Sequence, residues 1–425
     1  MAVETDTYDP TKQLSHSSLT LHRKCPQAWN YRHLRGLEEV PAGPQIDREL
    51  GGWWHALRAA DAITRGVEHQ SLREVPKRLR TIDGGPEFHR VGPFVPSEHP
   101  FYEIAAQEGD GHWEMTPALI LATAEAWWKR LGADTIDAWV ERVGTSLPAH
   151  LEWMDVRWHA RWDDDLQHEH PLGVEMKWTL PLPGTEAVMV GYIDEVYLDT
   201  RRSIVVVRDA KSKRTLDSQT SADDLLDSQL QIYAWGLRPV VAEWGMKITA
   251  VAYDRARSAP AKQPQITQSG SLSKSVTDYD LDTYLTFAQG PDGNGVPWGE
   301  PDTYVKSGKR KGEAKWGLYH AEETVIEKLS SPVALSIWHQ RTLVPLNKNI
   351  VTAHVQAAID TQKDTERTTE RVERTGAAPR NFTKEACRWC EYAGLCRAEM
   401  IGGSRGEFDP SDYGLKHRDA EPASV

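Results

Sequence analysis

The sequence lacks any run approaching the roughly 20 apolar residues that a transmembrane helix needs. Its first residues, MAVETDTYDPTKQ, have neither the basic start nor the apolar stretch of a secretory signal. The expected location is the cytoplasm, with no membrane partner. An excess of positive charge is also missing: 62 Asp and Glu stand against 50 Lys and Arg, for a net charge of −12. That excludes a generally sticky nucleic-acid binder but leaves room for a local basic groove. There is no G-x-x-x-x-G-K-[ST] phosphate loop and hence no ATP-driven motor of that type, so any helicase must be a separate partner. No internal repeat is visible. Only four residues are cysteine, which allows at most two disulfides, and a cytoplasmic setting disfavours both. Apolar content of 39% with 26% charge describes a soluble globular protein. At 425 residues the chain suffices for one large domain with insertions or for two.

The few cysteines that exist are placed with purpose. Cys387, Cys390 and Cys396, in CRWCEYAGLC, form C-x2-C-x5-C, a spacing that lets three thiolates converge from a short loop and turn. Cys25, in LHRKCPQAWNY, would complete a four-thiolate shell. Such soft shells select zinc or an iron–sulfur cluster. A zinc ribbon uses two C-x2-C knuckles, and here there is one. A lone ligand with a distant compact triplet fits better as a [4Fe–4S] staple joining the N- and C-terminal regions across a very long loop. Zinc and unliganded structural thiols are the alternatives.

Periodicity organises the rest. Residues 14–37 begin with Ser/Thr capping signals and continue into a helix around Cys25. Residues 50–65, LGGWWHALRAADAITR, read as a helix opened by two glycines, and 66–115 as loops. Residues 116–145 are helical in character with a break at Gly132. Strand-like runs follow between 150 and 209: HLEWMDVRWHARW, LGVEMKWTLPL, AVMVGYIDEVYLD and SIVVVRD. SADDLLDSQLQIYAWGL returns to a helical period, and ITAVAYDRAR is one more strand. Beyond residue 258 an irregular insertion is expected, partly helical near 275–287. Residues 320–373 look helical, and the last twenty or so residues read as a flexible tail. The basic run VKSGKRKGEAKW, with Lys306, Lys309, Arg310, Lys311 and Lys315 against Glu313, reads first as a solvated loop. The 17 tryptophans are expected mostly as core anchors, with some free to stack on bases. Helix, several strands, helix, strand is the order of an α/β core with a mixed sheet.

One segment carries chemistry. In GYIDEVYLDTRRSIVVVRDAKSK, alternation puts Asp194 on the face of Val188, Val190, Val196 and Leu198, with Glu195 and Asp199 opposite. A carboxylate on an apolar face costs free energy unless it has a partner. SIVVVRDAK is apolar on both faces, as a central strand is, and Asp209 and Lys211 project to one side at its end. Two antiparallel strands then bring Asp194 and Asp209 together around a hard cation, for which magnesium is suited. Lys211 orients or helps deprotonate the attacking water and offsets charge at a scissile phosphate. D-x-K alone reads as a surface salt bridge, and Glu175 and Lys177 in VEMKW offer the same spacing. Context favours Asp209 and Lys211, because the helix DSQLQIYAWGL downstream places Gln229 and Tyr233 at i and i+4 on one face. His55, in GGWWHALRAA, reads by itself as a packed core histidine and, with the other pieces, as part of the same site.

Together these residues resemble the RecB-like branch of the PD-(D/E)xK nuclease superfamily. More narrowly they are similar to its iron–sulfur exonucleases, which include AddB-type nuclease domains and CRISPR-associated and phage RecB-like nucleases. The matching pieces keep the family's order: LSHSSLTLHRKCPQAW, GGWWHALRA, GYIDEVY, VVVRDAKSK, QLQIY and CRWCEYAGLC. The first acidic motif is Ile193-Asp194 instead of Pro-Asp. The resemblance implies that His55, Asp194 and Asp209, with the backbone carbonyl of Ala210, ligate magnesium or manganese, and that Lys211 is the catalytic lysine. It implies that Gln229 and Tyr233 line the site, and that Cys25, Cys387, Cys390 and Cys396 hold a [4Fe–4S] cluster.

The expected fold is a restriction-endonuclease-like core, a mixed central sheet flanked by helices, with helical insertions. Its divisions are an N-terminal helical region (1–65), a loop and helical insertion (66–149), the nuclease core (150–258), an insertion with the basic loop (259–345), a C-terminal helix with the cysteine cluster (346–402) and a tail (403–425). The expected activity is metal-dependent exonucleolysis of linear DNA with a single-stranded end, in recombination, repair or phage replication, beside a helicase or recombination partner. A catalytically silent DNA- or protein-binding module is the alternative.

Overall fold

The computed structural model describes residues 9–41, 43–71, 116–216, 227–243, 245–262, 264, 279–289, 323–402 and 408–417. At its centre lies a six-stranded mixed sheet in the order β1 (Gln13–Leu14), β4 (Val188–Asp199), β5 (Ile204–Lys213), β6 (Ile248–Arg257) and β7 (His339–Pro345), with β3 (Glu169–Pro181) also paired to β4. β1 runs parallel to β4 and β5 parallel to β6, and the other pairings are antiparallel. The apolar run Val205–Val207 makes β5 central, as expected of a strand buried on both faces. β3 pairs with β4 along its whole length, whereas β5 pairs with it only over Glu195–Asp199 and β1 only at Val188–Met189. The β4 edge therefore opens between them, and Asp194 stands in that opening.

Helices cover both faces. α1 (His16–Lys24), α7 (Ser228–Glu243) and α11 (Lys348–Thr375) enclose an apolar core containing Met189, Ile193, Val196, Val207, Leu230, Leu237 and Val355. The opposite face carries α3 (Ile46–Ser71), α4 (Pro117–Trp128), α5 (Ala133–Val143) and α6 (Leu147–Leu166), packed around Trp53, Trp54, Trp139, Trp158 and Trp162. Among the described residues most tryptophans are core anchors, as expected. α8 (Leu281–Gln289) packs with α9 (Glu323–Leu329), and α10 (Pro332–Leu335) follows.

Several sequence expectations need correction. HLEWMDVRWHARW is not a strand but lies in the 20-residue helix α6. Its Trp and Val content mimics a strand, but the buried residues His150, Leu151, Met154, Trp158, Trp162 and Leu166 recur every three to four positions. The span 320–373 is not wholly helical, since β7 lies within it and extends the sheet beyond β6. Gly51 and Gly52 do not open α3; they sit inside it, and a Cβ on Gly51 would come within 3.4 Å of Ser212 Oγ, so the glycine lets α3 approach β5 closely. Cys25 is not within a helix but is an extended residue (φ −162°) at the break before the short helix α2 (Pro26–Trp29), which a π-helical turn, Asn30–Leu34, continues. The tail is partly built: β8 (Leu415–His417) pairs antiparallel with β2 (Leu37–Glu39). Gly132 does interrupt the helical stretch, as the N-cap of α5. The basic run at 305–316 lies outside the described residues. Among the described residues no helix is long and apolar enough to cross a membrane.

Candidate active site

Asp194 and Asp209 are brought together by the end of a ladder. Glu195 pairs with Arg208, and the next residue on each strand is an aspartate. Asp209 is not at the end of β5, which continues paired with β6 to Lys213; it is where the β4–β5 pairing stops. Simple alternation also fails at Asp194. Met189 and Ile193 before it, and Val196 and Leu198 after it, join the same apolar core, so the strand changes phase here. As a result Asp194 and Glu195 both meet α3, the first through His55 and the second through Arg65.

The predicted set converges. His55 Nδ1 lies 3.2 Å from Asp194 Oδ2, with side chains 29% and 20% exposed. The Ala210 amide donates to Asp194 Oδ2 at 2.6 Å. Lys211 Nζ donates to Asp209 Oδ1 at 3.0 Å and lies 2.9 Å from Oδ2. Gln229 Nε2 stands 3.5 Å from Asp209 Oδ1 and 3.3 Å from the Tyr233 hydroxyl. Tyr233 packs edge-on against Trp178 at 5.7 Å. Trp178 in turn fills the space left by Gly191 and Gly236, where added Cβ atoms would fall 2.5 and 2.3 Å from its ring. Glu175 and Lys177 lie on β3, with Lys177 opposite Tyr192.

The electrostatics are those of a crowded anionic site. Burial and the neighbouring Asp194 push Asp209 up to about 6, against the pull of Lys211 and His55. Burial alone would raise Asp194, but the charge and hydrogen bond of His55 hold it low. Burial lowers His55, yet Asp194 outweighs it and lifts the imidazole to about 9. Lys211 is likewise raised by Asp209 and Asp194 against burial, and so remains an ammonium. Asp209 Oδ2 is buried and accepts no well-formed hydrogen bond, with Lys211 beside it only as a charge. An imidazole, two adjacent carboxylates and an unsatisfied carboxylate oxygen fit a hard divalent cation. Among the described residues no group of three or more His, Cys, Asp or Glu side chains is gathered as a metal site.

The four cysteines lie apart from the carboxylates along the chain, and among the described residues they are not gathered as a metal site. Cys25, Cys387, Cys390 and Cys396 all line one cavity of about 170 Å³ between α2, α12 (Lys384–Arg388) and α13 (Ala393–Ile401). None is in a disulfide, and Cys387 is exposed. Arg380 Nε donates to Cys396 Sγ at 3.3 Å. Around them the two ends of the chain are sewn together: Arg35 and Tyr31 bind Glu399 at 2.6 and 2.7 Å, Tyr392 donates to the Leu37 carbonyl at 3.0 Å, and Ala378 N donates to Gln27 Oε1 at 3.0 Å.

Sequence reasoning passed over the charged residues that border the site. Glu195 and Arg208 are buried next to Asp194 and Asp209, and Arg65 reaches Glu195 from α3. The signal was present: charges flanking both aspartates inside otherwise apolar strands. His16, whose Nε2 lies 2.7 Å from Ser228 Oγ at the start of α7, was also missed; no spacing marks it.

A search among curated proteins found no significant match. The profile of the PD-(D/E)XK nuclease superfamily matches residues 13–397, from β1 through the last cysteine, and so spans the whole six-stranded sheet and both aspartates. The chain belongs to the PD-(D/E)XK nuclease superfamily.

Proposed function

We propose that the protein is a metal-dependent DNA exonuclease acting on linear DNA, with His55, Asp194, Asp209 and the Ala210 carbonyl as the cation's ligands. The observation that carries this reading is the adjacency of Asp194 and Asp209 at the end of the β4–β5 ladder, with His55 on one and Lys211 on the other. These residues would hold a magnesium or manganese ion, which would supply an activated water and offset charge on the scissile phosphate. Lys211, kept as an ammonium, is placed to orient the attacking water and to offset the negative charge on the phosphate oxygens. Gln229 and Tyr233 hold Asp209 in place and line the path of the substrate strand. A single strand entering the open β4 edge fits an activity that starts from DNA ends, in recombination, repair or phage replication beside a separate helicase.

The four cysteines are proposed to hold a [4Fe–4S] cluster that is structural, since phosphodiester hydrolysis moves no electrons. Their shared cavity and the ties between the chain ends support this. Anaerobically purified protein should show broad brown absorption and about four irons per chain. Cys390→Ala should lose both and melt at lower temperature; unchanged colour and melting would remove the cluster from the account.

The activity test uses end-labelled linear and closed circular DNA with manganese, magnesium or chelator. Asp209→Ala and Lys211→Ala should each lower the rate by at least about a hundredfold without unfolding the chain. Loss of linear but not circular DNA supports an exonuclease. A variant that cuts at the wild-type rate sinks the site assignment.

A further inference from the structure

We propose that the buried ion-pair chain Arg65–Glu195–Arg208–Glu169–Arg341–Asp254 is the positioning device of the two-carboxylate site. The inference rests on reading that site as a metal site. It concerns how the site is held rather than what it cuts.

The chain is continuous. Arg65 Nη2 reaches Glu195 Oε1 at 3.4 Å, and Arg208 Nε donates to Glu195 Oε2 at 2.9 Å. Arg208 Nη1 donates to Glu169 Oε2 at 2.6 Å, and Arg341 Nη1 to Glu169 Oε1 at 2.5 Å. Arg341 Nη2 closes the chain on Asp254 Oδ2 at 2.6 Å. Five strands or helices are thus tied: α3, β3, β4, β5 and β6, with β7 as a sixth. All six side chains are at most 11% exposed.

Three observations make this a device for the site. First, Glu195 and Arg208 are a direct cross-strand pair, one residue from Asp194 and Asp209 on their respective strands. A one-residue slip of β4 against β5 would separate those aspartates, and the Glu195–Arg208 bond forbids it. Second, α3 carries both Arg65 and His55, so the bond from Arg65 to Glu195 fixes the helix that aims His55 at Asp194. Arg58 pins the same helix, lying over the rings of Trp54 and Trp158 at 4.5 and 4.0 Å and paired with Asp155. Third, a small cavity of about 20 Å³ is lined by Asp194 and Ala210 together with Arg65, Glu195, Arg208 and Asp254. The ion pairs and the site share a wall.

Stability alone does not call for such a chain. Buried ion pairs commonly gain nothing over apolar residues of similar size, and Val206, Tyr197, Ala250 and Ala252 already form an apolar cluster on the same strands. What directional charge pairs add is a unique register and helix angle. Partners that orient metal ligands typically change metal affinity by about 10- to 100-fold when removed.

The test uses the full chain purified with chelator and then titrated with manganese, read by calorimetry and by electron paramagnetic resonance in the absence of DNA. The variant Arg65→Gln with Glu195→Gln removes the Arg65–Glu195 charge pair and weakens the Glu195–Arg208 pair that shares its carboxylate, while Asp61, the other partner of Arg65, keeps Arg58 beside it. Its manganese affinity should fall about 10- to 100-fold, while hydrolysis at saturating manganese recovers most of the wild-type rate. Should that variant fail to fold, Arg65→Lys keeps the charge but not the span, and should shift affinity in the same direction by a smaller factor. A lower melting temperature with unchanged manganese affinity overturns the inference and leaves the chain merely structural. Wild-type protein that binds no manganese overturns the site reading itself and this inference with it, an outcome the variants are not needed to reveal.

Discussion

Val207 enters the apolar core beneath α7 and α11, while Val206 and Arg208, its neighbours on β5, turn toward the side covered by α3 and α6. The first side is held by area. Its packing is non-directional, and each fully buried large apolar side chain contributes roughly 1.5–3 kcal/mol. The second is held largely by charge, with Arg65, Arg208 and Arg341 alternating with Glu195, Glu169 and Asp254. Those pairs add little net free energy but permit one geometry only. The site sits on the border, where β4 changes phase. One face supplies the stability and the other the aim.

The comparison breaks most visibly at Glu169, which serves two arginines. Glu169→Ala leaves Arg208 and Arg341 short of a partner and should cost about 3–5 kcal/mol in urea unfolding. On the apolar face Ile193→Ala should cost about 2–5 kcal/mol, with manganese affinity less affected than by the loss of Glu195. If Ile193→Ala harms metal binding as much, the division of labour between faces is wrong. Gly236→Ala places a Cβ against the Trp178 ring and should cost about 1–3 kcal/mol; the added variant Trp178→Phe should restore part of the loss.

Acid should act on both faces with smaller increments. Burial lowers His22 and His150 to about 4 and His339 to about 3. The unfolded chain then binds more protons than the folded one below about 6.5, so their stabilisation is complete above that pH and is lost as it falls toward 4 and then 3. Glu169, lowered to about 2 by Arg208 and Arg341 against burial, adds a further loss below about 4.5. Melting temperature should therefore fall steadily from pH 7 to pH 4. A flat profile across that range would contradict neutral burial of the three histidines.

How far the sequence could be read depended on how local the signal was. β5 announced itself through Val205–Val207, and Asp209 and Lys211 stood out from the equally spaced Glu175 and Lys177 only by context, with Asp194 upstream and Gln229 and Tyr233 downstream. α6 was misread because tryptophan and valine favour strands, whereas its burial period belongs to a helix packed against α3, a tertiary fact. β7 was missed because an edge strand with Gln340 and Arg341 shows no apolar alternation; it joins the sheet through its backbone ladder with β6, and Arg341 adds bonds to Glu169 and Asp254. The charge chain as a whole was unreadable, since its members come from six separate elements. The same holds for β8, whose partner lies near the other end of the chain.

That last pairing has a consequence for synthesis. Tyr392 and Leu37 are 355 residues apart, so β2 emerges from the ribosome tens of seconds before the segment that completes it, at roughly 5–20 residues per second. Until then Leu37 and Tyr31 lack the cover that Tyr392, Leu395 and Leu415 give them. A nascent chain that has not yet delivered Tyr392, Leu395 and Leu415 thus carries its carboxylates and lysine without the clasp that covers Leu37 and Tyr31.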